Sequence, residues 1–461
     1  MKNIIANPRA GLGQFDSMPV GIAVAKNVVP AIVSMLMVLV YNLADTFFIG
    51  LTGDDLLVAS VSLAHHVYML FLTFGTLFGI GGTSVISRAF GAGRNRYAKR
   101  VSSFCMWSSV AIGIIIPVLS HIFMDDLLTI LGASADTWKP TKDYLSIILL
   151  GGPFLMMASC FSGILRSEGQ ATRAMMGMLL GNIVNVILDP ILILWMGWGI
   201  KGAAIATVIS NIAGAIYFLT YFLRVNSRLS INPRHYTIGK KVAISVFAIG
   251  IPSAIGPLFM SLSQITMNRL MAGIDDFAIA AAGVAARSIM IIFVVSIGFS
   301  QGIMPLLGYC VGAENWKRYK EILKFSIISS TAICTALTAV CYIANDQIIG
   351  IFLTEKISYE YGIRFAKIFL STAFLSGAFF SLISAIQAIG DSIPALILNI
   401  SRQGIIYIPI LFTLHSLFGA YGLIWAQPVS DVLSLTLAIS LHAHALQKLI
   451  KMKEKAFSNF G

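Results

Sequence analysis

Residues 30–50 read PAIVSMLMVLVYNLADTFFIG, an apolar stretch with a single charged side chain, Asp45. A helix of about 20 apolar residues is long enough to cross the hydrocarbon core of a bilayer. All the backbone hydrogen bonds of such a helix are made within the segment, as a lipid environment requires. The stretch therefore predicts a membrane-spanning helix that carries one carboxyl group inside it.

The rest of the 461-residue chain has the same character, with 57% hydrophobic and 11% charged residues. Soluble domains carry about 25% charged residues, so the bilayer is the expected solvent for most of this chain. Twelve apolar runs predict an all-α membrane protein with twelve transmembrane helices. The runs lie near residues 20–49, 57–87, 102–124, 144–165, 174–196, 201–223, 242–267, 277–311, 325–344, 366–389, 393–415 and 419–444.

Charges outside these runs are divided unequally between the two sides of the membrane. Twelve spans place both termini on one side, and that side carries 22 of the 32 Lys and Arg residues and 6 of the 20 acids. The opposite loops carry 6 Lys and Arg residues and 11 acids, including Asp275. The positive-inside rule then predicts a multi-pass protein of the cytoplasmic (inner) cell membrane with both termini cytoplasmic. Because topology accounts for the net charge of +12, no nucleic-acid partner is expected.

The two halves of the sequence resemble each other at an offset of about 221 residues. Gly169 matches Gly390, and the outer turn Asp54-Asp55 matches Asp275-Asp276. Six spans in each half predict two pseudo-symmetric six-helix bundles, an arrangement typical of secondary transporters. The predicted domains are an N-lobe at residues 1–223 (spans 1–6), a cytoplasmic linker at 224–241, and a C-lobe at 242–461 (spans 7–12 and the C-terminal tail).

Three acids remain inside the predicted spans: Asp45, Asp189 and Asp431. A charge at the centre of a span costs about 2.5–3.5 kcal/mol on insertion scales, so such residues usually face the bundle interior and have a function. Asp45 and Asp189 both lie in the outer half of the first bundle, with Asn185 one turn before Asp189 and Thr207 on the next span. These oxygen donors could hold Na⁺, or the two carboxylates could share a proton, and a purely structural pair is the alternative.

Four further side chains are candidates for the transport pathway or its support. Tyr41 lies one turn before the first carboxylate, and Pro30 is expected to act either as a hinge or as a static kink in span 1. Arg287 has no evident acidic partner and is expected either to line a cavity or to donate to backbone carbonyls. Arg402 lies at the same depth as the acid of span 12 and forms with Asp431 a possible structural pair.

No arrangement of residues in the sequence indicates catalysis. We find no Walker A run, no HExxH pair and no Ser-His-Asp arrangement, and the five cysteines are scattered without a CxxC motif. The chain is therefore not expected to be an enzyme, and no cofactor is expected apart from a coupling ion, Na⁺ or H⁺. Nothing in the sequence requires a dimer, so a monomer surrounded by lipid is predicted.

Three segments resemble the MATE (multidrug and toxic compound extrusion) family: YNLADTFFIG at 41–50, NIVNVILDP at 182–190 and GAAIAT at 202–207. The resemblance extends over essentially the whole chain. It implies an antiporter that exports drugs and small amphiphilic organic cations from the cytoplasm in exchange for Na⁺ or H⁺. The ion site that it implies comprises Asp45, Asn185, Asp189 and Thr207, supported by Tyr41, Pro30 and Asn182.

The sequence departs from the NorM-like branch of this family, which carries acids on spans 7 and 10. Gln264 and Gln387 occur in those regions instead. This difference favours the DinF-like or MepA-like branch and leaves Gln264 as a cavity residue. One alternative is a flippase for a lipid-linked saccharide or other amphiphile, which would have a more cationic cavity. Another is a channel or non-transporting receptor, which would need no buried pair of carboxylates.

Overall fold

In the computed structural model the described residues are 13, 15–224, 227–237, 239–274, 276–353 and 355–458, and every regular element among them is helical. This part of the chain confirms the predicted all-α class. The termini at 1–12 and 459–461 and the outer-turn residue Asp275, for which the sequence predicts a side of the membrane, lie outside the described residues.

The described part contains fifteen α-helices, two π-helical turns at Pro190–Trp195 and Ser401–Ile405, and a 3₁₀ turn at Pro233–His235. The α-helices are α1 Val20–Gly50, α2 Asp55–Gly91, α3 Asn95–Ile122, α4 Met124–Leu131, α5 Ala135–Ser167, α6 Ala171–Asp189, α7 Gly199–Arg224, α8 Lys240–Ala272, α9 Asp276–Gly312, α10 Trp316–Ile343, α11 Asn345–Phe352, α12 Lys356–Ala373, α13 Ser376–Ile389, α14 Ser392–Ile400 and α15 Tyr407–Ser458.

These helices account for the twelve predicted spans within the described residues. Ten helical segments are long and apolar enough to cross a membrane, and the pair α12 and α13, bent by 45°, forms another. The longest segment, Ser392–Lys451, is interrupted at Gly419, where φ is 57° and ψ is −133°. A residue with a Cβ atom is strained in that region. The interruption divides the segment into two spans, which brings the total to twelve.

The chain divides into two compact units. Unit 1 comprises Met1–Met18 and Val33–Gly250, and unit 2 comprises Pro19–Ile32 and Ile251–Gly461. Of the three internal boundaries, the first precedes α1 and the other two fall within α1 and within α8, so each unit includes a part of both helices. The lobe and linker bounds given above stay a prediction.

Glycine permits two helices of unit 1 to cross closely. A Cβ atom on Gly163 of α5 would lie 2.7 Å from the carbonyl oxygen of Gly79 on α2, so neither backbone leaves room for a side chain at the crossing. On another face of α5, Phe161 packs with Met106 of α3 and Phe218 of α7. These contacts hold α2, α5 and α7 together, and all three contribute side chains to the site described below.

The segment at 227–237 binds to the surface of α3. The Ser102 hydroxyl donates to the Ser230 carbonyl at 2.9 Å and accepts from the Ser230 backbone N–H at 3.0 Å. The Trp107 indole N–H donates to the carbonyl of Ile231 at 3.1 Å. These bonds to the backbone hold the segment in a defined path after α7, although it is irregular apart from one 3₁₀ turn.

Unit 2 has its own apolar core, which includes Met267 of α8, Ile292 of α9, Phe365 of α12 and Leu411 of α15. Buried hydroxyl groups also connect its helices, with Ser296 of α9 lying 2.8 Å from Ser376 of α13. In a bilayer, where lipid tails are as apolar as these side chains, such polar contacts add to the van der Waals packing of helices.

Candidate ion-binding site

Three of the four predicted ion ligands come together where α6 ends. The Asn185 side-chain amide donates to Asp189 Oδ1 at 3.3 Å and reaches Thr207 Oγ1 of α7 at 3.5 Å. Asn185 and Asp189 are 0% exposed and Thr207 is 3% exposed. A carboxylate, an amide and a hydroxyl group therefore share one fully buried location in unit 1.

Pro190 explains why the helix changes form directly after Asp189. Proline has no backbone N–H, and its ring crowds the carbonyl group four residues earlier. The chain here continues as the π-helical turn Pro190–Trp195, in which the Met196 N–H donates to the Ile191 carbonyl five residues earlier at 2.8 Å. Single π turns inside α-helices are common at functional sites.

Asp45 approaches this cluster from α1. Its carboxyl group lies close enough to Asp189 for the two charges to interact, and the phenol of Tyr144 on α5 lies within electrostatic range of both. One turn before Asp45, the Tyr41 hydroxyl donates to the hydroxyl of Tyr68 on α2 at 3.4 Å. The site thus combines two carboxyl groups with three tyrosines.

Several polar atoms of this cluster have no hydrogen-bond partner among the described residues. They are Asp45 Oδ1, Asn182 Nδ2, Asn185 Oδ1 and Asp189 Oδ2. Buried polar atoms are usually paired, and leaving one unpaired costs about 1–3 kcal/mol. None of the ion pairs found in the described part of the chain includes Asp45 or Asp189. The unpaired oxygens are therefore suited to a proton, a monovalent cation or water.

A cavity of about 70 Å³ adjoins the cluster in unit 1. Tyr41 and Asn182 belong to its wall, together with the side chains of Asn42, Tyr68 and Asn211. Leucine, methionine, valine and alanine side chains, two serines and three glycines complete the lining. The cavity is thus mainly apolar with a few polar groups, but at about 70 Å³ it is much smaller than the pockets of about 300–1,000 Å³ that hold drug-sized molecules.

The other predicted residues lie in unit 2. Gln264 donates to Asn268 Oδ1 at 3.0 Å on an exposed face of α8, and the guanidinium group of Arg287 lies 5.4 Å from the ring centroid of Phe352. Pro30 belongs to the part of α1 that is assigned to unit 2.

Arg402 and Asp431, the possible structural pair, form an ion pair in unit 2 with Nε and Oδ1 2.8 Å apart. The carboxyl group of Asp431 also accepts from Gln427 and Thr372. Arg402 and Asp431 are therefore in direct contact, as the sequence suggested. That the pair is structural stays a prediction.

Reasoning from the sequence missed Tyr68, Tyr144, Gln427 and Thr372. Tyr68, Tyr144 and Thr372 lie on different helices from the carboxyl groups near them. Gln427 lies one helical turn before Asp431, but no distinctive motif marks it. Tyrosine and glutamine are common in spans, so a single sequence carries no signal for them. Groups of three or more His, Cys, Asp or Glu side chains that could hold a metal do not occur among the described residues.

A chain of twelve apolar spans with a buried, charge-bearing polar cluster and an adjoining cavity belongs to the class of membrane transport proteins. The MatE family model matches residues 30–191 and again residues 252–413. The chain therefore belongs to the MATE family of transporters and is not an enzyme. The second match begins at residue 252 and the first at residue 30. This separation agrees with the offset between the two halves of the sequence and confirms the internal repeat.

Several known proteins are similar to this chain. The multidrug export protein MepA of Staphylococcus haemolyticus is 32% identical over 410 residues, covering 89% of this chain and 90% of the relative. MepA of Staphylococcus aureus (strain NCTC 8325 / PS 47) is 31% identical over 419 residues, covering 91% and 92%.

Among solved structures, a MATE protein in complex with MaD3S has a TM-score of 0.88 at 23% identity, covering 96% of this chain and 99% of that one. An outward-facing MATE family multidrug resistance transporter of the MOP superfamily has a TM-score of 0.88 at 23% identity, covering 96% and 98%. These similarities show the fold, and they confirm the predicted helical transporter architecture.

Proposed function

We propose that this protein is an antiporter that exports organic cations and drugs from the cytoplasm in exchange for H⁺ or Na⁺. The observation that carries the proposal is the cluster of the partly buried Asp45 with the buried Asn185, Asp189 and Thr207, whose two carboxyl groups lack a basic partner among the described residues. The substrate class is supported by the relatives named multidrug export proteins. The protein itself would lie in the cell membrane, surrounded by lipid, with both termini cytoplasmic.

The cluster explains how an ion could drive the transporter. One proton or one Na⁺ would offset part of the negative charge of the Asp45 and Asp189 pair and satisfy unpaired oxygens. Asn185 would hold Asp189 and Thr207 in place through its amide donor and present its own Oδ1 as a ligand. An ion changes a conformational equilibrium only if it binds one state more tightly than the other. The burial of these ligands is consistent with a site whose access depends on conformation.

In unit 1 the cavity next to the ion site would receive only part of the substrate, because its volume of about 70 Å³ is far below the roughly 300–1,000 Å³ of pockets for drug-sized molecules. Phenol rings such as Tyr41 and Tyr68 attract organic cations through their faces, by about 0.5–2 kcal/mol. Asn182 and Asn211 supply hydrogen bonds without a fixed charge. Because Tyr41 and Asn182 belong to both places, ion binding and substrate binding would influence each other, and this is the requirement for exchange.

The proposal is tested with purified protein in liposomes loaded with a fluorescent organic cation. A pH gradient and a Na⁺ gradient are imposed separately on wild type and on Asp189→Asn. We expect one of the two gradients to drive transport and the variant to lose this response. Failure of both gradients to move any cation tested, with folded protein in the membrane, would contradict the proposal.

The structure gives little support to the lipid-linked saccharide flippase. Such a protein would be expected to have a cationic cavity, but Arg402 is neutralised by Asp431, which leaves Arg287, in contact with the ring of Phe352, as the one predicted cation without an ion pair among the described residues. A channel or receptor would retain its activity when both Asp45 and Asp189 are replaced by alanine. Ion-independent transport by that double variant would therefore favour the channel.

A further inference from the structure

The carboxyl group of Asp431 in unit 2 is fully engaged by side chains of the same unit. Its Oδ1 atom accepts from Arg402 Nε at 2.8 Å and from Gln427 Nε2 at 2.8 Å. Its Oδ2 atom accepts from the Thr372 hydroxyl at 3.2 Å. Asp431 is 7% exposed and Arg402 is 8% exposed, so a charged pair is held away from solvent. Both carboxyl oxygens of Asp431 are thus hydrogen-bonded, whereas Asp45 and Asp189 in unit 1 each have an oxygen without a partner among the described residues.

Three phenylalanine rings also contact the guanidinium group of Arg402, the cation of this pair. The guanidinium carbon of Arg402 lies 4.3 Å from the ring centroid of Phe293 and 5.6 Å from those of Phe379 and Phe380. Aromatic faces attract cations, and arginine stacks on them because its guanidinium is planar and weakly hydrated. A carboxylate at one end and aromatic rings around it form a binding site for a guanidinium ion, and Arg402 fills it.

The backbone fixes the position of this cation. Arg402 lies in the π-helical turn Ser401–Ile405, in which the N–H of Ile406 donates to the carbonyl of Ser401 at 3.0 Å. The Ser430 hydroxyl donates to the Arg402 carbonyl at 2.8 Å, which ties the turn to the helix that carries Asp431. A π turn shifts the helix register by one residue, so it determines where the guanidinium lies.

The internal repeat indicates what occupies the equivalent positions in unit 1. Asp431 corresponds to Asn211, and Arg402 corresponds to the turn around Asn182, between the matches of Gly169 with Gly390 and of Asp189 with Ile408. Asn182 and Asn211 line the 70 Å³ cavity of unit 1. The same two places in the fold are therefore lined by neutral amides in one unit and filled by an internal ion pair in the other.

We propose that Arg402 is a built-in cation that occupies a guanidinium-binding pocket of unit 2, formed by Asp431, Gln427, Phe293, Phe379 and Phe380. The pocket takes a free guanidinium-type cation when the arginine side chain is shortened. In the native protein the tethered guanidinium neutralises the carboxylate of this pocket, so exchange of free coupling cations is confined to unit 1. This last consequence rests on the proposed antiport function, whereas the pocket itself does not.

The pocket is tested by replacing the tethered cation with a free one. Arg402→Ala is purified as the full-length chain in detergent, and its thermal midpoint is measured as methylguanidinium chloride is added at millimolar concentrations. NaCl at equal ionic strength corrects for screening.

We expect Arg402→Ala to have a lowered thermal midpoint that methylguanidinium restores in a saturable manner. Wild type and the matched Arg402→Ala/Asp431→Asn variant should not respond, because the pocket is full in the first and has no carboxylate in the second. An equal response of the double variant, or none in a folded Arg402→Ala, would overturn the proposal.

A second variant decides the question if Arg402→Ala does not fold. Arg402→Met/Asp431→Asn removes both charges and keeps the side-chain volumes, and replacing a buried ion pair by neutral residues is often tolerated. In liposomes this variant should respond to the same ion gradient as wild type. A folded variant that no longer responds would show that the pair itself carries the coupling ion, which refutes the built-in cation. If wild type shows no gradient response, the antiport proposal fails by itself, and the methylguanidinium result still decides the pocket.

Discussion

The side-chain amide of Asn185 donates to the carboxyl group of Asp189 one helical turn later, at 3.3 Å. The same nitrogen lies 3.5 Å from the Thr207 hydroxyl, so one amide group connects α6 to α7. Its oxygen, which has no partner among the described residues, remains available as a ligand. Asn185 therefore both orients the carboxylate and completes the ion site.

Replacing Asn185 by alanine should weaken binding of the coupling ion. The change removes the donor to Asp189 and one ligand oxygen, and a hydrogen bond to a charged group contributes about 1.5–3 kcal/mol. We expect the half-saturating ion concentration for transport to rise by about tenfold or more. Asn399→Ala is the matched control, since among the described residues the Asn399 amide donates to the carbonyl of Ala395, one turn earlier in its own helix. Equal ion dependence in both variants would rule out the role given to Asn185.

Neutralising either buried carboxyl group should separate ion coupling from substrate passage. Asp45→Asn and Asp189→Asn keep the shape of the side chain and remove its charge, so we expect gradient-driven accumulation to be lost. Substrate should still equilibrate down its own gradient. Asp125→Asn is the control, because Asp125 is exposed and pairs with the exposed Lys142. Accumulation at the wild-type level in both buried variants would place the coupling site elsewhere.

Much of the fold could be predicted because bilayer physics is local. Apolar length gives the spans, and the structure places helices on each predicted run. The run at 366–389 shows where local patterns fail: it is broken between Ala373 and Ser376 and bent by 45°, without proline or glycine in the break. The division of α1 between the two units at Ile32 and Val33 also has no local signal, because it depends on which helices pack together.

The sequence predicted the site residues whose types are rare inside membrane spans, and it missed those whose types are common there. An acid such as Asp189 inside a span is conspicuous, and Asn185 and Thr207 follow from helical spacing and from the neighbouring span. Tyr144 is one of 14 tyrosines, and its proximity to both carboxyl groups arises from the packing of α5. The contacts of Asp431 with Arg402 and Thr372 likewise join separate helical segments, so the sequence suggested a pair but not the aromatic rings around it.

A single methyl group at the crossing of α2 and α5 should destabilise unit 1. The Cβ atom in Gly163→Ala would lie 2.7 Å from the Gly79 carbonyl oxygen, which is backbone and cannot move alone. Overpacking of this kind costs about 1–3 kcal/mol. Gly283→Ala is the matched control, because its Cβ atom would meet nothing within 4 Å and alanine favours the helix. We expect a lower thermal midpoint for the first variant only, and equal midpoints would contradict the close crossing.

Glu168 should hold the segment at 227–237 in place. Glu168 is the first residue after α5. Its carboxyl group accepts from the Arg228 backbone N–H at 2.5 Å and from the Ser227 hydroxyl at 2.8 Å. Glu168→Ala removes these bonds, so we expect faster tryptic cleavage at Arg228 and Arg234 in the purified protein. Glu321→Ala, at an exposed position on α10, should cleave as wild type does. Unchanged cleavage in Glu168→Ala would show that the contacts with α3 suffice.

The same carboxyl group should make stability depend on pH. Burial raises the pKa of Glu168 above its usual value, and the hydrogen bonds from Arg228, Ser227 and Tyr221 only partly oppose this effect. A raised pKa means that the folded state holds the proton more tightly than the unfolded state. The stabilisation is therefore complete below the unfolded pKa and is lost as pH rises through the folded pKa. Glu168→Gln, which mimics the protonated form, should flatten this part of the curve of thermal midpoint against pH. A parallel decline in wild type and Glu168→Gln would assign the pH dependence to other groups.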